Sequence, residues 1–236
     1  MTVKPEQLIV ALDVPDLARA GELVSKLAPL GVSFKIGLEL FMNAGPAFVQ
    51  SLANEHKVFL DLKFHDIPNT VAAAVESAAS LGVWMLNVHA SGGREMMLAA
   101  KQALGNFENK PYLLAVTVLT SMGDQQVEET GSRVKVSQKV PLLARLAAEC
   151  GLDGVVCSPR EIITVKEAVG QPIITVTPGV RPAGIDRNDQ ARTGTPAEVL
   201  LAGGDFLVVG RPIIASNDPK VAAREILFEM GVSSGE

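Results

Sequence analysis

Aromatic residues are scarce in this chain. Eight Phe, one Tyr and one Trp make up 4% of 236 residues. A core must therefore be built from Val, Leu, Ile and Ala, and the 47% hydrophobic fraction supplies enough of them. Cysteine is nearly absent. Cys150 and Cys157 offer neither a disulfide framework nor a metal-binding spacing, and we expect buried free thiols in a reducing cytoplasm. A catalytic role for Cys157 lacks a nearby His in the sequence. Three His without paired spacing argue against a zinc site. No basic excess exists. A net charge of −5 gives no electrostatic footprint for nucleic acid or an anionic membrane, so an anionic substrate needs a local basic pocket. Mean hydropathy is +0.26, yet no apolar run approaches the ~18 residues of a membrane span. Residues 1–5 lead into the first candidate strand with no hydrophobic export segment, so a cytoplasmic protein is expected.

What is present is alternation. Apolar strand-like runs occupy 8–13, 34–37, 58–63, 85–89, 113–119, 154–157, 173–176 and 206–209. Most are apolar throughout, as parallel strands buried on both faces must be. Helical patterns fall between and after them, at 17–30, 46–54, 69–81, 94–104, 140–150, 160–169, 196–202 and 219–230. Pro68 suits the first turn of its helix, and Gly31, Gly82 and Gly151 follow helices as C-terminal glycines do. Eight strand–helix units in this length predict a closed (β/α)8 TIM barrel forming one domain over 1–236. A doubly wound open sheet is the runner-up, but no Gly-x-Gly-x-x-Gly follows the first strand. The longest irregular stretches, 121–135 and 181–195, are polar and follow strands, where binding loops belong.

The most informative segment is Asp61-Leu62-Lys63-Phe64-His65-Asp66, at the end of the third strand. Asp61 and Lys63 share a face, because strand side chains alternate. Two acids and an ammonium so close together are hard to desolvate unless they pair or meet a substrate. A structural ion pair is the plain reading of one Asp-x-Lys. In a barrel, however, the active site lies at the C-terminal ends of the strands, and further charges gather there. Asp13 ends the first strand, and Lys35 interrupts the apolar second strand. A buried Lys35 needs an acid beside it, with Asp13 and Asp61 the nearest candidates. The acids could hold Mg²⁺, but Lys35 and Lys63 already balance them, so no metal is expected. Thr120 and Ser121 end the fifth strand. His89 reads as packing and His65 is given no role. Thr177-Pro178-Gly179-Val180-Arg181 and Gly210-Arg211-Pro212-Ile213 follow strands seven and eight. Those loops often bind phosphate in such barrels, with glycine opening the backbone and arginine supplying a bidentate contact.

These segments, together with Ile67-Pro68-Asn69-Thr70 and Val118-Leu119-Thr120-Ser121, resemble the bacterial-type orotidine 5′-monophosphate decarboxylase family over nearly the whole chain. The resemblance implies a cofactor-free carboxy-lyase of pyrimidine biosynthesis. It would convert orotidine 5′-monophosphate to uridine 5′-monophosphate and carbon dioxide. It implies Lys63 as proton donor to C6, Asp61 and Asp66 beside the departing carboxylate, and Lys35 holding the array and contacting ribose. Asp13 would bind ribose hydroxyls, with Thr70 near the ribose and Thr120 and Ser121 near the base. Arg181, Gln190, Gly210 and Arg211 would take the phosphate. It further implies a homodimer with composite sites, Asp66 and Thr70 entering the neighbour's. Sugar-phosphate decarboxylases and aldolase-like synthases resemble the Asp-x-Lys-x-x-Asp pattern and use Mg²⁺. Lys35 and the Ile-Pro-Asn-Thr extension favour the orotidylate reading over them. A non-catalytic nucleotide sensor would have no need of Lys63.

Overall fold

The computed structural model describes residues 3–182 and 192–232. Eight strands, β1 (Leu8–Ala11), β2 (Ser33–Gly37), β3 (Val58–Phe64), β4 (Met85–His89), β5 (Tyr112–Val116), β6 (Gly154–Val156), β7 (Ile174–Thr177) and β8 (Phe206–Val209), pair in sequence order. β8 returns to β1, with Ile9 opposite Val208, so the sheet closes into an all-parallel barrel. The expected (β/α)8 architecture is the observed one. Helices α1 (Leu17–Leu27), α2 (Leu38–Glu55), α3 (Pro68–Ala79), α4 (Gly93–Ala103), α5 (Asp124–Glu129), α6 (Val136–Glu149), α7 (Ile162–Val169), α8 (Pro196–Leu201), α9 (Arg211–Ile214) and α10 (Pro219–Glu229) connect or follow them.

Period-two alternation divides each strand between two cores. Ile9, Phe59, Met85, Leu114, Val176 and Val208 fill the barrel interior. Their neighbours Leu8, Val10, Phe34, Ile36, Leu60 and Leu86 face outward and pack with helix residues such as Leu23, Leu27, Val75 and Met97. Both faces are apolar, which is why the strands read as unbroken hydrophobic runs. The single Trp and Tyr sit at strand starts and close the N-terminal end. Trp84 meets Phe206 edge-on at 5.1 Å and Tyr112 at 6.0 Å. The C-terminal end is left as the mouth.

Several elements differ from the sequence-based expectations. α2 starts eight residues earlier than expected. Gly45, at φ 70 and ψ 179, breaks it in two just before Pro46. The pattern from 46 onward is the second segment, started by a proline as expected of a first turn. β5 stops at Val116, so Thr120 and Ser121 lie in the following turn. The polar stretch 121–135 contains the short helix α5, and α6 begins at Val136, carrying Pro141 inside it. α9 follows β8 directly, a four-residue helix too short to leave a periodic signature.

Candidate active site

A cavity of about 260 Å³ opens at the C-terminal ends of the strands. One wall is charged, formed by Asp13, Lys35, Asp61 and Lys63. Val116, Val118, Leu119, Val156 and Val208 make an apolar wall. Thr120 stands at the edge, and Pro178, Gly179, Arg181, Gly210 and Arg211 close the far side.

The charged wall follows from strand register. Lys35 is level with Ala11 on β1 and Phe59 on β3, and Gly37 is level with Asp61. Lys35 therefore points into the barrel level with the apolar Phe59, and Asp61 one step above it. Lys35 Nζ lies 2.9 Å from Asp13 Oδ1 and 3.3 Å from Asp61 Oδ2. Lys63 Nζ lies 2.7 Å from Asp61 Oδ1. A Cβ at position 37 would come within 3.1 Å of Lys35 Nζ and 3.2 Å of Asp13 Oδ1, so glycine makes room for that contact. Lys35 and Asp61 are each 7% exposed. Burial by itself would lower the Lys35 pKa, but the charges of Asp61 and Asp13 outweigh it and hold the ammonium above its ordinary value. Burial would likewise raise Asp61, and Lys35 and Lys63 outweigh it, keeping the carboxyl below the usual aspartate range. Both shifts favour the charged forms of Lys35 and Asp61, whose carboxylate is shared between two ammonium groups.

Lys63 is held in an unusual backbone. Its φ is 53, and it is the one non-glycine residue with positive φ among those described. A left-handed residue with a side chain costs roughly 1–2 kcal/mol, so something must hold it there. Between the pairs Leu60–Leu86 and Phe64–Val88, three residues of β3 face Asn87 alone. Asn87, fully buried, accepts the Lys63 N–H at 2.8 Å and donates to Asp61 Oδ1 at 2.7 Å. Sequence reasoning passed over Asn87. The available signal was an amide inside the apolar run Met85–His89, since buried polar groups are there to make hydrogen bonds.

The opposite side is built from loops. Val180 bridges Gly194, and the Arg181 N–H donates to the Gly194 carbonyl at 2.9 Å, so the ends of segment 181–194 are pinned together. A Cβ on Gly194 would meet Pro159 at 2.7 Å, which requires glycine there. Arg192, also unforeseen, pairs with the buried Glu161 and donates to the Leu119 carbonyl at 2.8 Å. Burial pushes its guanidinium below its ordinary value. Arg192 thus ties the segment after β7 to the loops after β5 and β6. Gln190 lies outside the described residues.

Asp66 and Thr70 do not line this cavity. Asp66 is exposed, accepts the Ile67 N–H at 2.6 Å, and borders a separate shallow depression with His65, Ile67, Pro68, Ser91 and Gly92. Thr70 is exposed in the first turn of α3, and Ser121 is exposed beyond the cavity edge. His89 packs against the His65 ring at 5.4 Å, and burial, followed by His65 and Lys63, pushes its imidazole below its ordinary value. Burial pushes the Cys157 thiol up to about 12, far from a nucleophile's range. Among the described residues no group of three or more His, Cys, Asp or Glu could hold a metal ion. No helix among them is long and apolar enough to cross a membrane.

The fold and this site define a (β/α)8-barrel enzyme with a partly buried lysine–aspartate array facing an arginine-bearing loop pair. Residues 6–226 match the model of the orotidine 5′-phosphate decarboxylase / HUMPS family, and the chain belongs to that family. It is 48% identical over 235 residues to the orotidine 5′-phosphate decarboxylase of Saccharophagus degradans, covering 99% of both chains. It is 51% identical over 232 residues to that of Moorella thermoacetica, covering 95% of this chain and 92% of the relative. The crystal structure of orotidine 5′-phosphate decarboxylase from Lactobacillus acidophilus superposes with a TM-score of 0.85 at 40% identity, covering 97% of this chain and 99% of that one.

Proposed function

We propose that this chain is a carboxy-lyase that decarboxylates orotidine 5′-monophosphate to uridine 5′-monophosphate in a single catalytic domain over 1–236. The observation that carries the reading is the Lys63–Asp61–Lys35–Asp13 array of ion pairs, with Asp61 and Lys35 buried, at the rim of a nucleotide-sized cavity. Breaking the bond from C6 to the carboxylate releases carbon dioxide and leaves an electron pair on C6. The Lys63 ammonium stabilises that charge as it develops and then gives C6 its proton. Asp61, 2.7 Å from Lys63 Nζ, holds the ammonium in place and disfavours the substrate's own carboxylate.

Lys35 and Asp13 contact the ribose, Thr120 and Ser121 the base, and Arg181, Gln190, Gly210 and Arg211 the phosphate. Arg181 and Arg211 line the same cavity as Lys63, across its mouth, which supports this division. Phosphate contacts far from the reacting carbon supply binding energy that can be used in the transition state. Asp66 and Thr70 serve the neighbouring subunit's site in a homodimer. Their exposure outside the chain's own cavity supports that assignment. The enzyme works in the cytoplasm, without cofactor, on a free nucleotide. Each acid of the array already meets an ammonium group, and a metal ion would have to displace it.

The test is an ultraviolet assay of orotidine 5′-monophosphate consumption in excess chelator. Full activity is expected. Activity that disappears and returns with Mg²⁺ would instead favour a metal-dependent sugar-phosphate enzyme of the same fold.

A further inference from the structure

Asn87 makes no contact that a substrate could replace, yet it touches both members of the reacting pair. It lies wholly buried in β4, level with Leu114 of β5 on one side and opposite the three-residue bulge of β3 on the other. We propose that Asn87 is the positioning residue of the proton donor. The inference rests on the decarboxylase reading of Lys63. The amide oxygen accepts the Lys63 N–H at 2.8 Å and so holds that residue at φ 53. The amide nitrogen donates at 2.7 Å to Asp61 Oδ1, the same oxygen that Lys63 Nζ meets. One side chain therefore sets both the backbone from which the ammonium reaches and the carboxylate against which it rests. Bulges beside active sites re-aim side chains in this way. Without the amide, Lys63 is expected to leave its left-handed conformation, and its ammonium to lose the fixed position it holds against Asp61 Oδ1.

The chemistry at position 87 is specific. An acceptor and a donor are needed on one short side chain. Leucine has the shape but neither function. Aspartate keeps the acceptor and sets a second carboxylate against Asp61, but when protonated it regains the donor. The charged or titratable groups around the position are Asp61 and Lys63 on β3, Lys35 through Asp61, His89 on β4 itself and His65 beyond β3. β5 contributes the apolar Leu114 and Val116.

The experiment compares wild type, Asn87→Leu and Asn87→Asp as full-length protein. In Asn87→Leu, kcat for orotidine 5′-monophosphate should fall at least about 100-fold, the effect of misplacing a reacting group by about 1 Å. The dissociation constant of uridine 5′-monophosphate should stay near wild type, because phosphate and ribose are held elsewhere. In Asn87→Asp, kcat relative to wild type should rise as pH falls from 8 to 5, as the new carboxyl protonates. Exchange of the Lys63 amide, followed by mass spectrometry of the free protein, should be faster by about tenfold or more in Asn87→Leu, with the other β3 amides unchanged. A wild-type enzyme that turns over while Asn87→Leu keeps kcat within about tenfold overturns the inference. So does an Asn87→Asp ratio that is flat with pH, which also decides the matter should Asn87→Leu fail to fold. A wild type inert toward orotidine 5′-monophosphate overturns the functional reading instead, and Lys63 amide exchange then judges the positioning role alone.

Discussion

Lysine–aspartate pairs stand at both ends of this barrel, and they do different things. At the N-terminal end, Asp153 accepts the Leu113 N–H and pairs with Lys101 from α4. Asp205 accepts the Thr175 N–H and hydroxyl and pairs with Lys166 from α7. Each carboxylate there precedes a strand, holds the neighbouring strand by its backbone and meets one half-exposed lysine. At the mouth, Asp61 meets two lysines and an amide, all side chains, and the group faces a cavity. An ion pair is thus no sign of function in itself. What separates the mouth is convergence of several charges, burial, and a backbone held in an unfavourable conformation.

The sharpest way to break this contrast is Lys63→Ala. A positioned general acid contributes ~10²–10⁴-fold, and stabilisation of the developing charge adds to that. We expect kcat to fall by about 10⁴-fold or more, with thermal unfolding and uridine 5′-monophosphate binding close to wild type. A loss below about tenfold means that another group delivers the proton.

Subunit mixing sharpens the boundary of the mouth. Lys63→Ala and Asp66→Asn proteins, each nearly inactive, are dissociated and reassociated together. If Asp66 serves the neighbour's site, about half the dimers are hybrids with one intact site each, and activity returns to roughly a quarter of wild type. Hybrid dimers confirmed by mass spectrometry but devoid of activity would falsify the shared site.

Arg211 tests the loop side of the cavity against its charged wall. Arg211→Ala should lower kcat/KM by roughly 2–5 kcal/mol, the effect of losing a buried charged contact. On orotidine lacking the phosphate the loss should be far smaller. Equal losses on both substrates point to a role in folding or at the ring.

The N-terminal end should answer in stability alone. Asp205→Ala leaves the Thr175 N–H and the Lys166 ammonium without their acceptor. The expected loss is about 1–3 kcal/mol in denaturant unfolding, with kcat unchanged at a temperature where the variant is folded. A matching fall in kcat would show that the two ends are coupled.

The smallest effect concerns acid. Asp61 has a folded pKa below its ordinary value, so its charge stabilises the fold above the usual aspartate pKa of about 3.9. That contribution is lost as pH falls through the lower folded value. The unfolding free energy of wild type relative to Asp61→Asn should therefore narrow below about pH 4. A difference independent of pH down to unfolding would mean that the two lysines do not favour the carboxylate.

The sequence by itself determined the barrel, the strand order and most of the mouth. Eight apolar runs alternating with amphipathic helices leave few other architectures, and both signals are local in the chain. A charge inside an apolar strand, as at Lys35 or Asp61, announces itself because burial demands a partner. Gly-Arg and Pro-Gly-Val-Arg after the last two strands were legible from their position alone. The Arg192–Glu161 tie, the left-handed Lys63 and the amide of Asn87 were decided only by the tertiary structure. Each depends on which residues of distant segments stand level with one another. That register is set by closing the whole barrel, where three residues of β3 come to face a single residue of β4. The outward position of Asp66 was likewise decided by the turn that ends β3, because the spacing of an Asp-x-Lys-x-x-Asp motif does not say where a loop leaves the barrel.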